Sequence, residues 1–386
     1  MYVPRVVQTC VGKFHHFDLA RQMHRRGMLE AIFTGYPRWK LRDEALPAEK
    51  IKTFPWFQTI YMGKGRFGID SAWLDRELAW LSRETLDRYC AAKLPPCDVL
   101  IGLSGFALRS GRIAQARGGR FVCDRGSSHI RFQDRILREE FSRWGQHFPG
   151  IDPRTVAREE AEYEQADVIT VPSQFALASF LACGVNKAKL RKTRYGVDLS
   201  RFRPAGEPAN DRFDVLAVGQ VSFRKGIPYL LDAFRRLKHT RKRLTIVGAM
   251  FPEIETWLRG RKLDDVQFIG PKPQAELPGL MSRAHVFVLA SIEEGLGLVL
   301  AQAMACGCPV IATENSGGPD LITEGVEGFI VPIRDPSAIA ERLENLAPDA
   351  ARRAVMSQAC LERVRRCGGW NDYGESVALV CHELTN

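Results

Sequence analysis

Short apolar runs typical of β-strands alternate with amphipathic helical stretches from one end of this chain to the other. This alternation predicts parallel sheets with helices packed on both faces. In the first half the strand-like runs are RVVQTC, AIFTGY, DVLIGLS, RFVCDR and DVITVPS. The pattern restarts after Arg203 with FDVLAVGQ, RLTIVGA, VQFIGP, HVFVLAS, PVIAT and GFIVPI. The predicted fold class is therefore α/β.

One segment interrupts the alternation. Residues 196–213 are rich in Pro, Gly and polar residues, as linkers are, and 386 residues are enough for two domains with full cores. We predict two Rossmann-like, doubly wound domains at 1–200 and 205–367, with a C-terminal helix at about 368–386 that packs back on the first. Open parallel sheets bind ligands at the carboxyl ends of their strands, which places the expected site in a central cleft between the domains.

The charge is distributed unevenly between the two halves. Residues 1–195 contain 32 Lys+Arg and 21 Asp+Glu, a net +11, while residues 196–386 contain 23 and 24, a net −1. An anionic partner is therefore expected for the first half, and an anionic membrane surface is the favoured one. Nucleic acid is disfavoured because the sequence has neither a nucleic-acid-binding motif nor a compact basic run with aromatic residues.

The first residues of the chain and its cysteines indicate its cellular location. The first residues resemble a buried strand rather than a signal peptide, and the longest apolar run, 297–312, is too short to cross a bilayer. The ten cysteines form no CxxC pair and are expected to be reduced thiols. The predicted location is the cytoplasm, including the cytoplasmic face of the membrane.

Three strand–loop–helix units in the second half carry the strongest chemical signals. In VLAVGQVSFRKGIPYLLDAF, Arg224 and Lys225 precede a helix, where two cations and backbone N–H groups can neutralise an anion. In HVFVLASIEEGLGLVLAQAMACG, Glu293 and Glu294 follow a strand, two glycines permit close approach of a ligand, and Gln302 lies on or beside the packed face of the next helix. The third unit, PVIATENSGGPDLI, has a glycine pair before its helix. For the cations the alternative is a solvated pair, and for Gln302 it is a core amide.

The first half carries weaker signals. Gly12 and Lys13 lie between the first strand and first helix, and VCDRGSSHIRFQ places His129 shortly after a strand. His15 and His16 are adjacent, so at most one of them can face a given site. No Asp-x-Asp pair, G-x-S-x-G or strand-linked G-x-G-x-x-G occurs, which disfavours a metal-diphosphate clamp, acyl transfer and hydride transfer.

Taken together, these stretches resemble the retaining nucleotide-sugar glycosyltransferases of family 4, the group 1 glycosyltransferases, which have the GT-B fold. GQVSFRKG is similar to the family's G-R-L-x-x-x-K-G stretch, and EEGLGLVLAQAMACGCPVIAT to its E-G-F-G-L-V-x-x-E-A-M-A-x-G-x-P-V-I-A block. GGPDLITEGVEGFIVP matches a third family stretch, and EYEQADVITVPSQF and YGVDLSRF match upstream ones. The resemblance is strongest over residues 215–333.

The resemblance implies a role for each matching residue. The expected catalytic residues are Lys225 and Arg224 on the donor diphosphate, Glu294 on the donor sugar, and His129 from the acceptor domain. Backbone groups at the helix N-terminus would cap the phosphates. The expected donor-binding residues are Gly12, Lys13, Gly219, Gly295, Gly297, Leu298 and Gln302.

Two positions depart from the family pattern. Gln220 replaces an arginine, which moves part of the diphosphate contact to Arg224. Gln302 replaces the glutamate that binds the ribose hydroxyls, and the amide is expected to bind them instead.

The function implied is metal-independent transfer of a sugar, a hexose in particular, from a nucleoside diphosphate sugar to an acceptor hydroxyl, with retention of configuration. The acceptor is expected to be a glycan or a lipid-linked molecule in cell-surface polysaccharide or glycolipid synthesis, and no cofactor is expected. The resemblance also implies that the leaving phosphate helps to deprotonate the acceptor. Two alternatives stay open, namely a GT-B nucleotide-sugar epimerase and a non-catalytic protein that binds sugar nucleotides.

Overall fold

The computed structural model of the chain describes residues 2–64 and 71–386. Within them the first domain is built on a seven-stranded parallel sheet with the strand order β3-β2-β1-β4-β5-β6-β7. Its strands are β1 (Val6–Cys10), β2 (Leu29–Thr34), β3 (Ile51–Thr53), β4 (Val99–Leu103), β5 (Arg120–Asp124), β6 (Val168–Val171) and β7 (Leu190–Lys192).

The helices of this domain begin where the sequence supplies hydrogen-bond acceptors for their free N–H groups. Ser71, Asp152 and Ser173 each accept a bond from a backbone N–H in the first turn of the helix that follows. The helices are α1 (Phe14–Arg25), α2 (Trp56–Gly63), α3 (Ala72–Lys93), α4 (Leu108–Ala116), α5 (Ile130–Arg143), α6 (Pro153–Gln165) and α7 (Gln174–Ala182).

The second domain has a six-stranded parallel sheet with the order β10-β9-β8-β11-β12-β13. Its strands are β8 (Phe213–Val218), β9 (Lys242–Val247), β10 (Val266–Phe268), β11 (Val286–Leu289), β12 (Val310–Thr313) and β13 (Gly328–Val331). Its helices are α8 (Ile227–Arg236), α9 (Pro252–Leu258), α10 (Leu277–Ser282), α11 (Leu298–Ala305), α12 (Gly318–Leu321), α13 (Pro336–Leu346) and α14 (Ala350–Arg366).

The central strands are buried on both faces because helices cover both sides of each sheet. Every residue of β1, β6, β11 and β12 is buried. This explains why these strands read as nearly continuous apolar runs in the sequence. The α/β fold class predicted from the alternation is confirmed. The edge strands β3 and β7 were not among the predicted strands, because three residues are too few to give a recognisable apolar pattern.

The last helix, α15 (Trp370–Thr385), returns to the first domain. It packs along α1, where Tyr373 joins the core that contains Phe17. The helices approach closely because Gly374 has no side chain. A Cβ there would lie 2.4 Å from the Cβ of Gln22.

The chain therefore passes between the domains twice, and the two passages touch. Between Lys192 and Phe213, where the sequence predicts a linker, the structure has no helix or strand. In this passage Gly196 lies against the returning backbone, so that a Cβ on it would fall 2.3 Å from the carbonyl carbon of Gly369. Arg194 also donates from Nη2 to the carbonyl of Cys367 over 3.1 Å.

The strand order identifies the switch point of each sheet, where successive connections run to opposite sides. It lies between β1 and β4 in the first domain and between β8 and β11 in the second. Ligands of doubly wound sheets bind beside the carboxyl ends of the strands at such a point. Among the described residues, no helix combines the length and the apolar composition needed to cross a membrane.

Candidate active site

Both charged motifs of the second domain lie at its switch point. The loop after β8 carries Arg224 and Lys225 into α8, and the loop after β11 carries Glu293 and Glu294 towards α11. Because β8 and β11 are paired neighbours, residues about 70 positions apart in sequence meet at one edge of the sheet.

Lys225 and Glu294 form an ion pair at this edge. Their side chains are 12% and 14% exposed, so the pair is largely shielded but can be reached from the cleft. Arg224 lies beside them and donates from Nη1 to Glu293 Oε2 over 3.2 Å. Burial lowers the pKa of Arg224, but Glu294 and Glu293 raise it by more, so the net pKa is above the ordinary value. Two cations and a carboxylate therefore share a small part of the cleft.

Glu293, for which the sequence predicts no specific role, connects the two domains. Its fully buried carboxylate accepts bonds from Ser127 Oγ and Ser128 Oγ, both 2.6 Å away, and from Gln133 Nε2 at 2.9 Å. Burial raises the pKa of Glu293, but Arg224 and these donors outweigh burial and lower it to about 2. Glu293 is therefore ionised at neutral pH. Its first-domain partners are 160–166 residues away, so no local pattern reveals it.

Two of the predicted glycines are required by backbone geometry. Gly219 follows β8 with φ +149°, and the side chain of Lys225 passes over it, 3.6 Å from the position of a Cβ. Gly297 precedes α11 in the left-handed region at φ +73°, where a Cβ would meet Leu289 Cδ2 at 2.8 Å. Leu298 begins α11, as predicted, and the helix has no side-chain cap, so its first N–H groups are available to a ligand.

Gly295 lies where the two domains touch most closely. A Cβ on it would fall 1.9 Å from the carbonyl oxygen of Gly126. Ser173 Oγ donates to the carbonyl of Gly295, and Leu296 and Leu298 pack into the core of the first domain. Gly295, which is expected to contact the donor, therefore forms part of the contact between the domains in this structure.

Gln302 lies in the second turn of α11 and is half-buried. Its amide has no hydrogen-bond partner among the described residues, whereas a core amide would need one. Gln220 is exposed in the loop after β8 and lines, with Gly219 and Lys225, a cavity of about 20 Å³. Within residues 2–64 and 71–386, neither amide side chain has a hydrogen bond that holds it in place.

Gly12 and Lys13 lie at the carboxyl end of β1, the switch point of the first domain. Lys13 Nζ pairs with Glu44 Oε1 over 2.6 Å and is 43% exposed. Phe14, which follows, has φ +34°, unusual for an aromatic residue, and its side chain is 62% exposed. The structure therefore brings these residues to the first-domain side of the cleft, apart from the Lys225–Glu294 pair.

The structure places His129 at the N-terminus of α5, where its ring packs in the first domain, and its catalytic role stays a prediction. Its Nδ1 accepts a bond from the backbone N–H of Arg131 at 3.2 Å, so it caps α5. The ring packs between Tyr163 and Phe180, with centroids 5.0 Å away in each case, beside a cavity that includes Glu160 and Lys189. Burial lowers the pKa of His129 to about 4. The side chain of the preceding residue, Ser128, donates to Glu293, whereas the side chain of His129 packs inside the first domain.

Sequence comparison identifies the second domain. Residues 200–363 match the family described as "Glycosyl transferases group 1". The amylovoran biosynthesis glycosyltransferase AmsK of Erwinia amylovora is 28% identical over 201 residues, which are 49% of this chain and 49% of AmsK. The chain thus matches about half the length of this curated relative.

Structural comparison covers the whole chain. Sucrose-phosphate synthase from Thermosynechococcus elongatus superposes with a TM-score of 0.72 at 22% identity, over 99% of each chain. Anabaena Alr3699/HepE in complex with UDP-glucose gives 0.70 at 15% identity, over 98% of this chain and 100% of the other. These likenesses confirm the predicted GT-B architecture of two facing Rossmann-like domains. The resemblance to group 1 glycosyltransferases is thereby confirmed: the chain has the GT-B fold, and its residues 200–363 match that family.

Proposed function

We propose that the protein transfers a sugar, a hexose in particular, from a nucleoside diphosphate sugar to an acceptor hydroxyl with retention of configuration. The observation that carries this proposal is the Lys225–Glu294 pair with Arg224 at the switch point of the donor domain. The relation to AmsK, named for amylovoran biosynthesis, supports a place in polysaccharide or glycolipid synthesis.

The diphosphate leaving group gains negative charge as its bond to the sugar breaks. Lys225 and Arg224 are already desolvated and oriented, so they can stabilise this charge without reorganising during the reaction. The uncapped N-terminus of α11 adds backbone N–H donors and the positive end of the helix dipole. We propose that these groups act without a metal ion.

Two further contacts complete the donor site. Glu294 is placed to accept hydrogen bonds from the sugar hydroxyls once the diphosphate competes for Lys225. Gln302, one turn along α11 and without a hydrogen-bond partner in the described part of the chain, is proposed to bind the ribose hydroxyls.

The donor needs more room than this structure provides. The cavity beside Lys225 is about 20 Å³, whereas sites for small organic ligands occupy roughly 300–1,000 Å³. We propose that the domains separate to admit the donor, which would break the bonds of Glu293 to Ser127 and Ser128.

A transfer assay tests this proposal. The protein is incubated with ¹⁴C-labelled UDP-glucose, UDP-galactose or GDP-mannose and a panel of octyl glycosides, with and without EDTA. UDP-glucose is a suitable first probe because HepE, which has the same fold, was crystallised with it. We expect labelled octyl product whose anomeric configuration, read by proton NMR, equals that of the donor, and no effect of EDTA.

Other outcomes of the assay would support one of the two alternative functions or contradict part of the proposal. Conversion of the donor to its epimer without an acceptor would indicate an epimerase. Binding of nucleotides by calorimetry without turnover of any donor would indicate a non-catalytic protein. An inverted product would disprove retention, and loss of activity with EDTA would disprove metal independence.

We further propose that the first domain rests on an anionic membrane surface through α2 and the start of α3. No residue of α2 is buried, and the side chains of Trp56, Ile60 and Met62 are 68%, 55% and 56% exposed. Trp73 in α3 is 70% exposed and lies nearby, since Lys64 at the end of α2 pairs with Asp75. Tryptophan favours the interface between water and lipid, and the +11 charge of residues 1–195 complements anionic lipid.

Vesicle sedimentation tests this surface. The wild type should sediment with phosphatidylglycerol vesicles, less so at high salt, and not with phosphatidylcholine vesicles. Trp56→Ser with Ile60→Ser should reduce binding. Val355→Ser, which removes an equally exposed apolar residue from the second domain, should not. Equal binding by all three proteins would contradict the assignment.

A further inference from the structure

Arg83 places a guanidinium at the switch point of the first sheet. It lies on α3 and is half-buried. Gly105 is the second residue after β4, and a Cβ on it would fall 3.5 Å from Arg83 Nε. Because this switch point lies between β1 and β4, the guanidinium is at the edge where ligands of doubly wound sheets bind.

This guanidinium is held in position but has no carboxylate partner. Arg83 Nη1 donates to the carbonyl of Ala79 over 3.3 Å, and Cζ lies 5.4 Å from the centroid of the Phe106 ring. Nε is sealed from water and has no hydrogen-bond partner. Nη2 has no partner in the part of the chain that the structure describes, and it is not among the sealed atoms. One edge of the guanidinium is therefore open to a ligand.

The neighbouring arginines differ from Arg83 because each of them has a carboxylate. Arg125 Nη1 lies 2.8 Å from Glu159 Oε2, and Arg158 Nη1 lies 2.6 Å from Glu84 Oε2. Burial lowers the pKa of Arg83, and repulsion by Arg125 and Arg158 adds to this, whereas Glu159 opposes it. An arginine stays protonated in a protein. Arg83 is thus a desolvated cation whose nearest carboxylate is already paired with Arg125.

A carboxylate oxygen faces the same point as Arg83. A Cβ on Gly105 would also fall 3.5 Å from Glu159 Oε1. The other oxygen, Oε2, accepts bonds from Ser104 Oγ and Tyr163 Oη, each over 2.7 Å. Among the described residues Oε1 has no such partner, and it is not sealed. Beside Gly105 the protein therefore offers donors for an anion together with an acceptor for a hydroxyl, as a charged sugar requires.

Hydrogen bonds connect this point to the donor loops across the cleft. Arg125 Nη2 donates to Gln133 Oε1 over 2.9 Å, and Gln133 Nε2 donates to Glu293 Oε2 over 2.9 Å. Glu293 in turn pairs with Arg224 at 3.2 Å. Arg83 thus lies on the first-domain wall, several side chains away from the cations proposed for the donor diphosphate. An anion bound by Arg83 would belong to the other substrate, the acceptor.

We propose that the acceptor carries an anionic group, a carboxylate or a phosphate, and that the guanidinium of Arg83 binds this group. The inference rests on the proposed function and adds the chemical class of the acceptor to it. Arginine suits both groups because its planar fork can donate two parallel hydrogen bonds to either. A buried cation without a partner destabilises a protein, and the anion of the acceptor supplies the missing partner.

Matched acceptors test the preference for an anion. The wild type is assayed with UDP-[¹⁴C]glucose, UDP-[¹⁴C]galactose or GDP-[¹⁴C]mannose and with octyl glucoside, octyl glucuronide or octyl glucoside 6-phosphate. We expect kcat/KM to be about tenfold higher or more for an anionic acceptor than for octyl glucoside. The better of the two anionic acceptors identifies the group as a carboxylate or a phosphate. Octyl glucoside used as well as or better than both would overturn the inference.

Substitution of Arg83 assigns the preference to this residue. Arg83→Met keeps an unbranched apolar chain beside Phe106 and should lower the preference for the anionic acceptor by about 10–100-fold. Arg83→Lys keeps the charge without the fork and should retain part of the preference. Arg88→Gln is the control, because it removes a 61% exposed arginine from the same helix and should retain all of it. A wild-type preference in Arg83→Met would overturn the inference.

Thermal unfolding gives a readout that needs no sugar transfer. At equal ionic strength, glucuronate or glucose 6-phosphate should raise the melting temperature of the wild type above its value with glucose. This difference should be absent from Arg83→Met. The substitution itself should not lower the melting temperature, since it removes an unpaired buried charge. A difference that persists in Arg83→Met would place the anion elsewhere and contradict the assignment.

The two proposals fail in different ways. If the wild type transfers no sugar from any of the three donors to any of the octyl acceptors, the proposed function fails, and the thermal shift alone decides whether Arg83 binds an anion. If the wild type transfers sugar without preferring an anionic acceptor, only the inference fails and the transferase proposal stands.

Discussion

At the scale of single residues, the paired charges at the switch point of the second domain carry the proposed chemistry. Lys225 and Glu294 face each other across two adjacent loops of the same sheet edge, so neither can be changed without affecting the other. Glu293, the preceding residue, faces the other domain and is bound by three side chains there. Adjacent glutamates thus have different partners: Glu294 pairs with Lys225 in the second domain, and Glu293 is bound by the first domain.

Lys225→Ala should remove a cation from the leaving group and leave Glu294 without its partner. We expect turnover to fall by about 10²–10³-fold, the usual cost of removing one preorganised stabilising group. Nucleoside diphosphate affinity should fall as well, because Glu294 then repels the phosphates. Steady-state kinetics and calorimetry measure the two effects. Turnover close to that of the wild type would show that the diphosphate binds elsewhere.

Gln302→Ala tests whether this amide binds the ribose. Two lost neutral hydrogen bonds should weaken UDP or GDP binding by about 1–3 kcal/mol. The melting temperature should hardly change, because the amide has no protein partner among the described residues. A 2′,3′-dideoxy nucleotide should bind the wild type weakly and lose little more in the variant. A lower melting temperature with unchanged affinity would instead identify a structural residue.

At the scale of elements, α5 shows that the surroundings of a histidine are known only from the structure. A histidine after a strand has the same appearance in a sequence whether its ring faces a ligand or caps a helix. His129 caps α5 and packs against Tyr163 and Phe180. In contrast, the strand–loop–helix units were predictable, because parallel strands and their helices leave a regular apolar pattern.

His129→Asn should make stability less sensitive to acid. The pKa of folded His129 is about 4, below the value of about 6.5 for an unfolded histidine. Its contribution to stability is therefore complete above about pH 6.5 and is lost as the pH falls towards 4. Between pH 7.5 and 5, the wild type should lose about 1–2 kcal/mol more unfolding free energy than the variant, allowing for partial screening. Urea titrations at both pH values measure this difference, and equal losses would contradict the buried neutral imidazole.

At the scale of the whole molecule, the site depends on contacts between the domains that the sequence does not reveal. Ser127, Ser128 and Gln133 reach Glu293, and Arg334 Nε reaches Glu140 Oε2 over 2.7 Å. Each domain could be predicted because its pattern is local. The contacts between them, such as those of Ser173 with Gly295 and of Arg334 with Glu140, join positions 122 and 194 residues apart. They depend on how the two sheets face one another.

Gly295→Ala should hold the domains apart. The new methyl group would lie 1.9 Å from the carbonyl oxygen of Gly126 and 3.1 Å from Ser127 Cα, too close for the present arrangement. Small-angle X-ray scattering should show a larger radius of gyration than in the wild type. Gly279→Ala, whose methyl would meet only the tip of Arg283 at 3.6 Å, is the matched control. Identical scattering from both variants would show that the backbone contact can relax locally.

The paired passages of chain between the domains determine how such motion takes place. Gly196 and Gly369 touch backbone to backbone, and Arg194 bonds to Cys367 beside them. The two passages between the domains are therefore joined and would act as one hinge. A single flexible linker would allow twisting and sliding, whereas two joined strands favour rotation about one axis. If the domains open and close as proposed, each closing movement returns the two walls to the same alignment, and the geometry of sugar transfer is reproduced from one cycle to the next.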